Sequence, residues 1–180
     1  MRIKITETKV YTWEELTDEQ KEKALSKLYD LNTDYEWWQN VYEDAEQVGI
    51  KITWFDLDRN RHAEGAFTMS AEGVAKAIVE DHGPDCETYK TAREFLDTIT
   101  PMIDFRDNFA DDDDTTEEEY KTFDDNTDKI EELEEEFLKS ILEDYSIMLQ
   151  KEYEYLSSEE AIIGTIKANE YEFDENGNIA

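Results

Sequence analysis

From Arg2 to Tyr11 the apolar residues Ile3, Ile5 and Val10 alternate with polar neighbours, the period of a strand, with a slip near Thr8. The period then becomes helical. Thr17 opens Thr-Asp-Glu-Gln, a capping box in which the Thr17 hydroxyl and the Gln20 side chain satisfy each other's backbone donors, and Ala24, Leu25, Leu28 and Leu31 fall on one face behind it. Thr33 to Glu36 repeats the signal and predicts a second helix carrying Trp37, Trp38, Val41, Tyr42, Ala45 and Val48, stopped by Gly49 as a left-handed cap.

Between Ile50 and Asp58 the period is two, with both parities apolar: Ile50, Ile52 and Trp54 on one face, Phe55 and Leu57 on the other. That predicts a strand covered on both sides. Polar residues 58–64 turn the chain, and Gly65 to Met69 return as the partner strand of a β-hairpin. Ser70 caps a helix with Val74, Ala77 and Ile78 that ends at the breaker His82-Gly83-Pro84. A further helix spans about 88–105, with Pro101 expected to kink or interrupt it. From about Thr127 the series Ile130, Leu133, Phe137, Ile141, Tyr145 and Met148 predicts the longest helix, and Ser157 or Ser158 caps a last one with Ala161, Ile162 and Ile166. Tyr171 to Phe173 reads as a strand leading into an Asn-Gly turn.

The fold class expected is α+β, one domain over 1–180: a small, mainly antiparallel sheet from the N-terminal strand, the hairpin and the C-terminal strand, packed on helices. Residues 1–105 hold mixed strands and helices, 106–126 an acidic loop, and 127–180 the long helix, the short helix and the terminal strand.

Composition changes the picture through charge. The chain of 180 residues carries 49 Asp and Glu against 18 Lys and Arg, a formal net charge of −31. Such a chain repels nucleic acid and anionic membranes and attracts basic surfaces. Salt adaptation would trade away Lys and large aliphatics, whereas this chain has 13 Lys against 5 Arg, and 14 Ile. One cysteine excludes an internal disulfide and suits a reducing compartment. The opening Met-Arg-Ile-Lys-Ile has no apolar run of signal-peptide length, and no segment approaches the roughly 18 apolar residues of a membrane span, so a cytoplasmic location is expected.

The charge is concentrated. From Asp104 to Glu136, 17 of 33 residues are acidic and only Arg106, Lys121 and Lys129 oppose them. Glu131, Glu132, Glu134, Glu135 and Glu136 place five charges on about 9 Å of helix axis. That is one per roughly 1.8 Å, close to the one per about 1.7 Å of duplex DNA. Asp111, Asp112, Asp113 and Asp114 form a loop or disordered tip, and Glu117, Glu118 and Glu119 follow. These carboxylates are the candidate partner-binding residues. The plainer reading is a solvated helix face beside a flexible acidic loop.

Other chemistry is thin. Asp56, Asp58, Asn60, His62 and Glu64 alternate oxygen ligands as calcium loops do, but position six is Arg61 rather than Gly and position twelve is Phe67 rather than Glu. Asp56, Asp58 and Asn60 are therefore weak metal candidates in what otherwise reads as a polar turn. His62, His82 and Cys86 are the residues available for a Cys-His pair, and His82 and Cys86 straddle a Gly-Pro break. No glycine-rich phosphate loop is present, and no cofactor is expected. Trp37, Trp38, Tyr42 and Trp54 read as core, or as an exposed aromatic anchor beside acids.

Through Glu36-Trp37-Trp38, Tyr42-Glu43-Asp44-Ala45, Gly49-Ile50-Lys51-Ile52 and Leu149-Gln150-Lys151-Glu152-Tyr153-Glu154-Tyr155-Leu156 the chain resembles small acidic proteins encoded by bacteriophages and prophages, a group with no established activity. In composition and size, though not in motif, it is also similar to DNA-mimic anti-restriction and anti-CRISPR proteins. The resemblances imply a non-enzymatic inhibitor that occupies the nucleic-acid groove of a basic host defence protein, with no direct binding of nucleic acid or membrane and with a homodimer left open. The alternatives are a divalent-metal-dependent or calcium-binding protein using 56–64, and an acidic antitoxin or assembly partner of one basic protein.

Overall fold

The computed structural model describes residues 9–109 and 115–180. The fold is α+β and predominantly helical. In chain order it runs β1 (Tyr11–Thr12), a 3-10 turn (Trp13–Glu15), α1 (Asp18–Lys27), α2 (Gln39–Gln47), β2 (Ile50–Asp56), β3 (His62–Phe67), α3 (Ala71–Asp81), α4 (Glu87–Asp107), α5 (Glu117–Leu156), α6 (Glu159–Ala168) and β4 (Glu172–Phe173). The strands form two separate antiparallel pairs, β1 with β4 and β2 with β3, rather than one sheet. The predicted opening strand lies largely outside the described residues; its visible end is β1, where Tyr11 faces Phe173.

By contact the chain divides into two compact units, Met1–Trp38 with Lys151–Ala180, and Gln39–Gln150. In the first, Trp13, Leu16, Ala24, Ile162, Ile166 and Phe173 make a small core, with Trp13 meeting Phe173 edge-on at 6.1 Å. The Thr17 capping box forms as read, Gln20 N–H donating to the Thr17 hydroxyl and Thr17 N–H to Gln20 Oε1. The terminal turn docks on α1: Lys27 Nζ donates to Asn176 C=O and Asn178 Oδ1, and Gln20 Nε2 to Glu175 C=O. Gly177 is obligatory there, since its φ is +75° and a Cβ would lie 2.9 Å from Ala24 N. Thr33 does not cap a helix. Its hydroxyl turns back to Asp30 C=O, residues 28–38 form turns, and α2 starts only at Gln39. Buried Asn32 holds these turns, donating to Leu156 C=O and accepting from the Thr165 hydroxyl.

In the second unit Gly49 ends α2 at φ +86°, as expected. The two apolar parities of β2 have a cause other than two-sided burial. The register slips between Ile52 and Trp54, a bulge that reverses which side chains point inward: Ile50 and Ile52 are buried before it, Trp54 is 48% exposed after it, and Phe55 turns to Tyr42. β3 begins three residues earlier than expected. Ser70 caps α3, which packs on α4. α4 runs unbroken through Pro101. On α5, Phe137 stacks on Phe95 at 4.2 Å and meets Phe67 at 5.4 Å.

The acidic loop placed at 106–126 is a correction. α4 continues to Asp107, and α5 begins at Glu117, ten residues before the expected start. Two local features extend α5 back. Thr116 and Glu119 form a capping pair, with Thr116 N–H donating to the Glu119 carboxylate at 2.8 Å and Glu119 N–H to the Thr116 hydroxyl. Three glutamates in the first turn also lie at the positive end of the helix dipole.

Candidate acidic interface on the long helix

Between Glu117 and Glu136 the inward side of α5 is set by Phe123, Ile130, Leu133 and Phe137, of which Ile130 and Phe137 are buried. With about 100° per residue, the opposite side collects Glu117, Glu118, Asp124, Asp125, Asp128, Glu131, Glu132, Glu135 and Glu136 within an arc of about 140°. All nine are exposed. At a rise of 1.5 Å they span about 28 Å, or one carboxylate per about 3.2 Å of axis, against 3.4 Å per phosphate along one DNA strand. One cation, exposed Lys121, falls inside the arc, and Lys129 lies just beyond its margin. Lys129 is held by Glu132 at 2.8 Å, which, with Glu136 beyond, raises its ammonium above the ordinary value.

The start of the stripe is fastened by rings. Phe109, just past α4, lies 4.6 Å from Phe123, 5.8 Å from Tyr120 and 6.2 Å from Phe105. Residues on both sides of the Asp111–Asp114 run are thereby brought together. Asp111, Asp112, Asp113 and Asp114 themselves lie outside the described residues.

Of the sequence candidates, Glu117, Glu118, Glu131, Glu132, Glu135 and Glu136 share this face. Glu119 belongs to the helix cap and Glu134 is half-buried on a flank. Asp124, Asp125 and Asp128 were missed. Their signal was the 3.6-residue period, which extends back from Ile130 to Phe123 in a stretch that four adjacent aspartates made read as a loop.

Where Glu135 and Glu136 end the stripe, α5 and the edge of β3 enclose a groove of about 970 Å³ that also takes in Glu64, Glu143, Asp144 and Lys139. Asp144 accepts from the Thr91 hydroxyl at 2.7 Å, and burial raises its carboxyl above the usual range. Arg61 reaches across from the hairpin loop, donating to Ser146 Oγ at 3.2 Å, Gln150 Oε1 at 2.7 Å and the Glu143 carboxylate. The residue that broke the calcium-loop pattern thus ties the loop to α5.

Of the weak metal candidates, Asp56 is engaged in that loop through its carboxylate, and Asp58 and Asn60 through their backbone. Asp56 Oδ1 accepts from Asp58 N–H at 2.8 Å, and Asn60 C=O accepts from His62 Nδ1–H at 2.6 Å. Among the described residues no three His, Cys, Asp or Glu side chains are grouped to hold a metal ion. His82 is committed elsewhere. Its Nδ1 lies 2.7 Å from the Thr88 hydroxyl, and its buried Nε2, without a hydrogen-bond partner, faces Asp44 at 3.7 Å and Asp81 at 4.0 Å. Tyr145 donates to the same Asp44 at 2.9 Å. Cys86 is exposed at the start of α4. Of the four singled-out aromatics, Trp37 is buried, Trp38 and Tyr42 are half-buried, and Trp54 is exposed, with its ring 5.1 Å from that of His62.

Comparison with known protein families, curated proteins and solved structures finds no match to this chain. Among the described residues no helix is long and apolar enough to cross a membrane.

Proposed function

We propose that the chain is a non-enzymatic inhibitor of the kind phages deploy, presenting the carboxylates of α5 as a substitute for nucleic-acid phosphates to a basic groove of a host defence or nucleic-acid-binding protein in the host cytoplasm. One observation carries this reading: nine exposed carboxylates on one face of α5, at an axial spacing near that of phosphates on a single strand. A stripe of this length would steer its partner electrostatically, and the complex would be fast to form and strongly weakened by salt.

The test begins with capture from bacterial lysate at about 0.1 M and about 0.5 M salt, the range over which phosphate-like contacts are screened. The retained protein is then challenged with duplex DNA. Reversal of Glu131, Glu132, Glu135 and Glu136 to Lys is expected to abolish binding while circular dichroism shows α5 still helical. Inhibition surviving that reversal would sink the proposal, and a bound protein that DNA does not displace would favour an antitoxin-like partner.

A further inference from the structure

The hairpin has one covered side and one open side. β2 pairs with β3 and packs beside α2. Among the described residues β3 pairs with β2 alone, and its other edge borders the groove against α5.

The register identifies the backbone groups that face outward. Thr68 N–H donates to Gly49 C=O at 2.9 Å, so the next pair, Phe67 with Ile50, is non-hydrogen-bonded, Ala66 with Lys51 is bonded, and Gly65 with Ile52 is again non-hydrogen-bonded. The Thr53 hydroxyl donating to Glu64 C=O agrees with this alternation. The N–H and C=O of Gly65 and Phe67 therefore point away from β2, along the free edge. Gly65 has no freedom to change: a Cβ there would stand 2.5 Å from Lys51 O and 3.1 Å from a Leu142 methyl. The backbone lies close to α5 at the point where its polar groups are turned outward.

An exposed strand edge is a template for another extended chain. Here the surroundings select its charge. Glu64 on the strand and Glu135, Glu136 and Asp144 on the helix face the groove, and Lys139 is the opposing cation on the same helix. A second copy of this acidic chain would bring like charges together, whereas a segment alternating Lys or Arg with small or branched residues would satisfy both the edge and the acids.

We infer that the groove between the free edge of β3 and α5 captures an extended basic segment of the partner protein by β-strand addition at Gly65, the outward-facing residue of β3 that lines it. This rests on the reading of α5 as the docking face for a basic protein, and it adds how that partner is held.

The probe is a synthetic peptide about as long as β3, alternating Arg or Lys with Val, compared with the same peptide N-methylated at the valines, which keeps the charge and removes donors. With the full-length chain, the unmodified peptide is expected to bind at least about tenfold more tightly, the margin that lost main-chain hydrogen bonds would produce, and to slow hydrogen exchange at the Gly65 amide. Glu135→Gln with Glu136→Gln is expected to weaken both peptides. Equal binding of the two peptides, with unchanged exchange at Gly65, would overturn strand addition and leave the charge reading standing. Failure of both peptides to bind would overturn the inference, and the charge-reversal experiment on α5 would still decide the broader proposal. Slow Gly65 exchange without peptide, together with a dimer in sedimentation, would overturn it in favour of a second copy of the chain.

Discussion

At the residue scale the most constrained polar group is the Tyr145 hydroxyl, whose ring is fully buried and whose proton goes to Asp44. Burial first, and the Asp44 charge second, push its phenol well above the ordinary value. A phenol whose pKa is raised on folding contributes stability that is complete below the unfolded value of about 10 and is lost as pH rises towards the folded one. Removing the hydroxyl costs the bond and leaves Asp44 without its donor, on the order of 1–3 kcal/mol. Tyr145→Phe should therefore lower stability to urea at pH 7 by that amount and show a shallower decline than the parent above pH ~10. Equal decline in both would show that other tyrosines carry the alkaline transition. This group was legible in the sequence only as an apolar position of a helical series, because the partner that makes it polar is 101 residues away.

At the element scale α5 depends on how it begins. Thr116 caps it with Glu119, and Phe109, Tyr120 and Phe123 hold its first turns. Loss of a cap of this type costs about 1 kcal/mol. Thr116→Ala should unravel the first turns, seen as lower helical ellipticity and faster exchange at the amides of 117–123, while the buried centre around Phe137 keeps its protection. If the acidic face is the docking surface, the same variant should bind its partner more weakly despite unchanged net charge. Unchanged exchange would mean the rings alone hold the helix start. The hairpin teaches a related lesson. Two apolar parities in β2 come from a bulge, which conserves one-sided burial while changing which residue faces in, and a period-two reading has no means of detecting an inserted residue.

At the scale of the whole molecule, a net charge of −31 opposes compaction. Screening should relieve it, so raising salt from about 0.05 to about 0.5 M should raise Tm, at about 2–4 °C for each kcal/mol of repulsion removed. Partner binding should weaken over the same range, and a Tm that falls with salt would contradict the repulsion argument.

Sequence alone determined the α+β class, the hairpin, the Thr17 and Ser70 caps, a cap at Ser157 or Ser158 that the structure places at Ser158, where the hydroxyl accepts from Ala161 N–H, the Gly49 stop and the site of highest charge. Each is governed by residues within a few positions of one another, where backbone sterics and hydrogen-bonding geometry act locally. The long-range features came from packing: two separate strand pairs in place of one sheet, the backward extension of α5, the commitment of His82 and Arg61 to distant partners, and the open edge of β3. These depend on which surfaces meet once the apolar faces are buried, and alternation along the chain carries no record of that pairing.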